Sequence, residues 1–195
     1  VPKVIDHDQR KQEIAEAVWR LILRHGITAV SVRDVAAEAA LSTGSLRHTF
    51  ASKADLLAYS MRLVHTRARD RILTHITVRD PRDRALAMLS ELLPLDEVRR
   101  CEMEVNLALV AEAPAHPELG AIALDAQRDM RSGCAKILAD LARHGVIAAS
   151  RDIDAEAMHL HALIDGAAMH AVLGETDSPE SALQMVTDHL DSLAG

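Results

Sequence analysis

Aromatic residues are scarce in this sequence: Trp19, Phe50 and Tyr59 make up 2% of 195 residues. Sandwiches and barrels draw on aromatic and β-branched residues for their strands, so an all-β fold is excluded. Cysteine is scarce too, and Cys101 and Cys134 suffice neither for a disulfide framework nor for a thiolate metal set. No stretch approaches the roughly 18–20 uncharged apolar residues that a bilayer core demands. No basic segment followed by an apolar one opens the sequence, so no secretory signal is expected and the cytoplasm is the expected location. A Gly-rich phosphate loop, a Gly-x-Ser-x-Gly elbow and a Cys-x-x-Cys pair are all missing, so catalysis and a bound cofactor are not expected. Disorder is excluded by a 49% hydrophobic content with interleaved charge.

What fills the chain instead is Ala, Leu, Arg, Glu, Asp and Met, mostly good helix formers. An all-α fold follows. The prolines at 2, 81, 94, 114, 117 and 179 fall where helical patterns start or stop. Gly26, Gly145 and Gly174 each follow a helical pattern, where a left-handed cap favours glycine. These marks predict about nine helices, near 8–25, 32–39, 43–49, 53–75, 81–93, 96–113, 117–144, 153–173 and 179–193. Ser31 with Asp34, and Ser52 with Asp55, place a hydroxyl and a carboxylate three apart as capping boxes, and Ser178-Pro179 marks a further start.

The formal net charge is −7, but it is unevenly distributed. Residues 1–71 hold 12 Lys+Arg against 8 Asp+Glu, whereas 72–195 hold 10 against 21. The first part is therefore +4 and the second −11, an asymmetry expected of one polyanion-facing half and another with a separate task.

The segment Ser31–Lys53 packs two short helices with only Ala40, Leu41 and Ser42 between them. Val32, Val35, Ala36 and Ala39 form an apolar face on the first, and Leu46 and Phe50 anchor the second; Trp19 and Leu21 join the same expected core. Thr43, Ser45, Arg47, His48 and Thr49 face outward, with no acid among them. A short helix with such a face suits a helix-turn-helix, whose second helix enters a groove about 12 Å wide.

From Ile14 to Gly26, through Ser31-Val32-Arg33-Asp34-Val35-Ala36 and Leu41–Phe50, to Ser52-Lys53-Ala54-Asp55-Leu56-Leu57, the chain closely resembles the tetracycline-repressor (TetR) family of bacterial transcriptional regulators. The remaining helices are similar in number and length, with a looser likeness to the betaine-regulator branch. The resemblance implies a helix-turn-helix DNA-binding domain at 1–52 and a helical effector-binding and dimerisation domain at 53–195. It implies phosphate contacts from Arg33, Ser42, Thr49 and Lys53, and base-edge or mixed contacts from Thr43, Ser45, Arg47 and His48. Gly44 would let the backbone approach DNA. Ala40 and Thr49 stand where the family usually has Gly and Tyr.

Two stripes lie near the C-terminus: Ile153, Ala157, Leu160, Ile164, Ala168 and Ala171, then Leu183, Val186, Leu190 and Leu193. Paired with their copies across a two-fold axis they make a four-helix homodimer interface; the alternative is packing within one chain. The resemblance implies a small-molecule effector site among the helices between 81 and 173, with Met103, Asn106, Val110, Met158, His161, Asp165 and Met169 as its candidate contacts. Trp and Phe, frequent in that branch near Asn106, are absent. His161 and Asp165, four apart, can share a face.

The expected function is a ligand-responsive regulator, a repressor, that binds a pseudo-palindromic double-stranded operator as a homodimer and is released by an effector. The competing reading is a helical-bundle metal-binding protein or enzyme with a non-functional DNA-binding head. It rests on Glu156-Ala-Met-His159, but helical di-iron sites need two such motifs and two further Glu. No metal site is expected.

Overall fold

The computed structural model describes residues 7–174 and 178–194. Pro2 therefore lies outside the described residues. Among the described residues nine α-helices follow in order: α1 His7–His25, α2 Val32–Glu38, α3 Thr43–Thr49, α4 Lys53–Thr74, α5 Pro81–Ser90, α6 Glu97–Ala111, α7 Pro117–Arg143, α8 Ile153–Leu173 and α9 Pro179–Ser192. No strand occurs among the described residues, as the composition predicts. Single 3₁₀ turns at Ile27–Ala29 and His75–Thr77 were not foreseen. Helix α5 stops at Ser90 rather than 93, because Pro94 disfavours helix at its predecessor and Leu92 and Leu93 turn onto the carbonyls of Leu89 and Ser90.

The caps explain the sharp starts. The hydroxyls of Ser31, Ser42, Ser52 and Ser178 accept the backbone N–H groups of Asp34, Ser45, Asp55 and Ser181 at 3.0–3.3 Å. Each satisfies an orphan donor of a first turn. In the first box the Asp34 carboxylate accepts from the Ser31 hydroxyl. Gly145 has φ +71°; Gly26 has φ +77° but ψ 165°, a positive-φ conformation outside the left-handed helical region, and Gly174 is extended at φ −85°. The helix α8 therefore ends without the left-handed turn its sequence suggests.

The chain divides into two compact units. One takes the residues up to Thr66 with Glu104–Leu124, and the other Arg67–Met103 with the residues from Asp125 onward. This packing division is a different partition from the functional border expected at 52/53.

In the first unit, Ile14, Val18, Ile22, Val35, Leu46, Leu56, Leu57 and Met61 join Val105, Leu109 and Leu119 in one core. Trp19, Leu21 and Phe50 lie in that core as expected. Trp19 donates from Nε1 to the carbonyl of Ser60 at 3.3 Å, and Phe50 tilts against Tyr59 with ring centroids 5.4 Å apart. Glu38 ties α2 to α1 through Arg20 (2.7 Å) and Arg24, and these guanidiniums hold its carboxyl below the usual range.

The turn between α2 and α3 contains the one left-handed non-glycine residue among the described residues, Ala40 at φ +54°. Ala40 N–H bonds Ala37 O at 3.1 Å and Leu41 N–H bonds Ala36 O at 2.8 Å. That is a Schellman closure with alanine where glycine is usual. The Cβ costs about 1–2 kcal/mol in this region, and the greater unfolded freedom of glycine offsets about 0.4–1 kcal/mol. The variant Ala40→Gly is expected to gain about 0.5–1 kcal/mol, raising the melting temperature by about 1–4 °C in calorimetry; a fall would show that the turn is not strained.

In the second unit, α8 and α9 pack on α5 and α7 residues. Leu160 and Val186 are fully buried, and Ala157, Ile164, Ala168, Ala171, Leu190 and Leu193 are at most 3% exposed. Ile153 and Leu183 are half-buried against the same cluster. These are the stripes expected at a partner's surface. They instead fill the core of their own chain, alongside Leu89, Leu138 and Leu141. Packing within one chain, the alternative reading of these stripes, accounts for their burial. Burial of each Leu or Ile contributes about 1.5–3 kcal/mol, enough to claim the stripe for the interior.

Candidate nucleic-acid interface

Helix α3 is held by one deep anchor. Leu46 is 1% exposed and Phe50, its C-cap, is buried beside it. With Leu46 inward, the helical period turns Thr43, Gly44, Ser45, Arg47 and His48 outward, and all five are exposed. Thr49 is half-buried. Its hydroxyl donates to the Ser45 carbonyl at 3.3 Å, so its one hydroxyl hydrogen is already engaged. Ser42 uses its oxygen as acceptor for Ser45 N–H at 3.1 Å and keeps its hydroxyl hydrogen for another partner.

Arg33 on α2 and Lys53, the first residue of α4, are exposed. Among the described residues neither they nor Arg47 forms an ion pair or hydrogen bond. The neighbouring acids are engaged: Asp34 with the Ser31 hydroxyl and Glu38 with Arg20 and Arg24. A Cβ at Gly44 would meet only Ser42 Oγ, at an ordinary 3.8 Å, so none of the described residues demands a glycine there.

The expected effector contacts do not fall in one unit. Asn106 and Val110 belong to the first, where Nε2 of His65 donates to the Asn106 side-chain oxygen at 2.9 Å. Met103, Met158, His161, Asp165 and Met169 belong to the second. Met103 is half-buried against its core, but Met158 and Met169 are 46% and 42% exposed. His161 lies 3.2 Å from Asp165 one turn on. Desolvation by burial raises the Asp165 carboxyl, and His161 opposes the shift. His159 sits 3.5 Å from Glu156, and no cluster of metal-ligating side chains fit for an ion occurs among the described residues. No helix among them is long and apolar enough to cross a membrane.

Sequence reasoning passed over one polar cluster in the second unit. Arg71 donates to Glu91 at 3.0 Å and to Glu102 at 2.8 Å, while His75 meets Glu91 at 3.0 Å. The available signal was Glu102 itself, an acid in the stripe Val98, Val105 and Leu109 of α6.

Comparison with known proteins bears directly on this geometry. Residues 14–59 match the bacterial regulatory proteins of the tetR family, and residues 81–195 match the C-terminal domain of BetI-type transcriptional repressors. The HTH-type transcriptional regulator PksA of Bacillus subtilis is 38% identical over 99% of this chain and 94% of that protein. The regulator BetI of Agrobacterium fabrum is 28% identical, over 98% and 91%. Among solved structures, a transcriptional regulator of Saccharomonospora viridis in complex with choline superposes with a TM-score of 0.85 at 28% identity, covering 94% of this chain and 96% of that one. A TetR regulator of Haloarcula marismortui shares the fold at 0.86 and 24% identity, over 96% and 100%. With an outward, acid-free α3 inside the matched head and a BetI-type match over the remaining helices, this chain belongs to the TetR family of transcriptional regulators.

Proposed function

We propose that the chain is a ligand-responsive repressor that binds a pseudo-palindromic operator as a homodimer and is released by a small-molecule effector. The observation that carries this is the face of α3: Thr43, Ser45, Arg47 and His48 exposed, no acid among them, with Arg33 and Lys53 exposed on the helices before and after. Residues 1–52 are the reading head and 53–195 the effector-binding and dimerisation half, acting in the cytoplasm without catalysis of their own.

Arg33, Ser42 and Lys53 hold phosphates, and Arg47 pairs with a guanine edge. Thr43, Ser45 and His48 complete the base-facing set. Thr49 reaches a phosphate only by giving up its bond to Ser45. Gly44 is explained by close approach of the DNA backbone, since the chain itself leaves room for a side chain. The two-fold contact uses Met158, Met169 and Leu173 of α8 and Met185 of α9, the apolar side chains that the second unit's core leaves exposed. Ile153 and Leu183 border it. Within the second unit, Met103, His161 and Asp165 are the proposed effector contacts. The Saccharomonospora relative binds choline, but a quaternary ammonium is held by aromatic faces. This chain has no aromatic residue beyond Tyr59, so its second unit offers no aromatic cage for such a group. Release follows from linkage: the effector weakens DNA binding only by its preference for the conformer that does not fit the operator.

Sequencing the genomic fragments enriched by the purified protein tests the reading, and failure to enrich any sequence sinks it. On the fragment found, Arg47→Ala is expected to cost about 1–3 kcal/mol and relax base preference, while Lys53→Ala weakens all duplexes alike. Fluorescence anisotropy on matched and single-mismatch duplexes separates the two.

A further inference from the structure

We infer that Glu102 is the anchor for a primary ammonium group carried on a short apolar body, and that this is the chemical class of the effector. The inference rests on the effector-responsive reading above.

Glu102 is 4% exposed, and its Oε1 is buried with no hydrogen-bond partner. Buried carboxylate oxygens are almost always satisfied, so an orphan one marks a place where a donor belongs. The other oxygen, Oε2, is occupied by Nη2 of Arg71 at 2.8 Å. Arg71 is itself fixed by Glu91, which also takes His75 at 3.0 Å and Arg99 at 3.5 Å; Arg99 is further held by Asp96 at 3.0 Å and the Ser90 carbonyl. Two guanidiniums, of Arg71 and Arg99, thus meet the carboxylates of Glu91, Glu102 and Asp96, and none of these contacts reaches Oε1 of Glu102. A cationic donor would give that oxygen a charge-assisted bond, about twice as strong as a neutral one.

The geometry narrows the cation. A guanidinium is matched to both oxygens of a carboxylate, and one is already taken, whereas an ammonium serves as a point donor. A quaternary ammonium has no N–H to give and finds no aromatic face between residues 67 and 195. The apolar body has its own support. Val98 lies four residues before Glu102 on the same face of α6 and is 61% exposed. The face passes from solvent to the orphan oxygen within one helical turn, about 6 Å.

Isothermal titration of the full chain with hexylammonium, tetramethylammonium and hexanoate tests this. Hexylammonium is expected to bind saturably and about tenfold or more tighter than either of the others, and Glu102→Gln to weaken it by about tenfold or more. Should that variant fail to fold, methyl-labelled methionine spectra of the wild type take its place: hexylammonium shifts Met103, next to Glu102, and leaves Met185 unchanged. No saturable binding of hexylammonium, equal binding of the three probes, an unaltered affinity in folded Glu102→Gln, or an unmoved Met103 overturns the assignment. Enrichment of an operator without any probe is scored separately, so loss of the ammonium site and loss of the regulator reading give different results.

Discussion

Raising the salt concentration from about 50 to about 200 mM is expected to weaken operator binding by about a hundredfold. The estimate starts from cations available to phosphates. Arg33 and Lys53 are exposed and form no ion pair among the described residues, and a homodimer would present two of each. Four neutralised phosphates give a slope near −0.9 per contact, about −3.6 in log–log form, which over a fourfold salt change is roughly two decades. Arg47 steepens the slope if its guanidinium also meets a phosphate. Anisotropy titrations at several salt concentrations measure it. A flat response would mean that the exposed cations of α2 and α4 do not touch the DNA backbone, and the proposed orientation of the head would fall with them.

The second large effect separates the two faces of α8. Leu160 is fully buried in the core of the second unit, so Leu160→Ala is expected to cost about 2–5 kcal/mol through lost transfer energy and the cavity left behind. At about 2–4 °C per kcal/mol for a chain of this size, the melting temperature falls by roughly 4–20 °C. Met169 is 42% exposed on the other face. Met169→Asp is expected to leave the fold intact and weaken dimerisation by at least about 2 kcal/mol per protomer, about a thousandfold for two copies. Sedimentation across a concentration series reads the dimer, and thermal unfolding reads the core. The reverse outcome, with Leu160→Ala dissociating a stable chain, would restore the buried stripe as the partner surface.

Helix positions were legible because their punctuation is local. Pro81, Pro117 and Pro179 open their helices, and four serines cap neighbours three residues away. Such signals act within one turn, and no distant contact overrides them here. The misreadings are at helix ends: α5 is cut short by the turn into Pro94, and Gly174 is extended where a left-handed cap was expected. The outward face of α3 was equally legible, because Leu46 and Phe50 fix its inner side and leave only one arrangement for Arg47 and His48.

Helix α8 was not legible in the same way. It carries an Ala-Leu-Ile stripe on one side and methionines on the other, so periodicity shows two apolar faces without ranking them. Packing decides: small side chains let α8 lie close to α9, and the methionines are left outside. Glu102 shows the complementary failure. Its spacing with Val98, Val105 and Leu109 places it on an apolar stripe, yet spacing does not reveal that Arg71, 31 residues earlier, reaches one of its oxygens and leaves the other unmet.

The order of residues alone thus determined an all-helical chain and an amino-terminal head with a cationic, acid-free reading helix, because capping, helix period and charge act over a few residues. Only the tertiary structure decided which side of α8 is interior and which carboxylate is buried half-satisfied, because burial is set by neighbours distant in sequence, and a helix's period fixes angles between its own side chains but not the partner each side will meet.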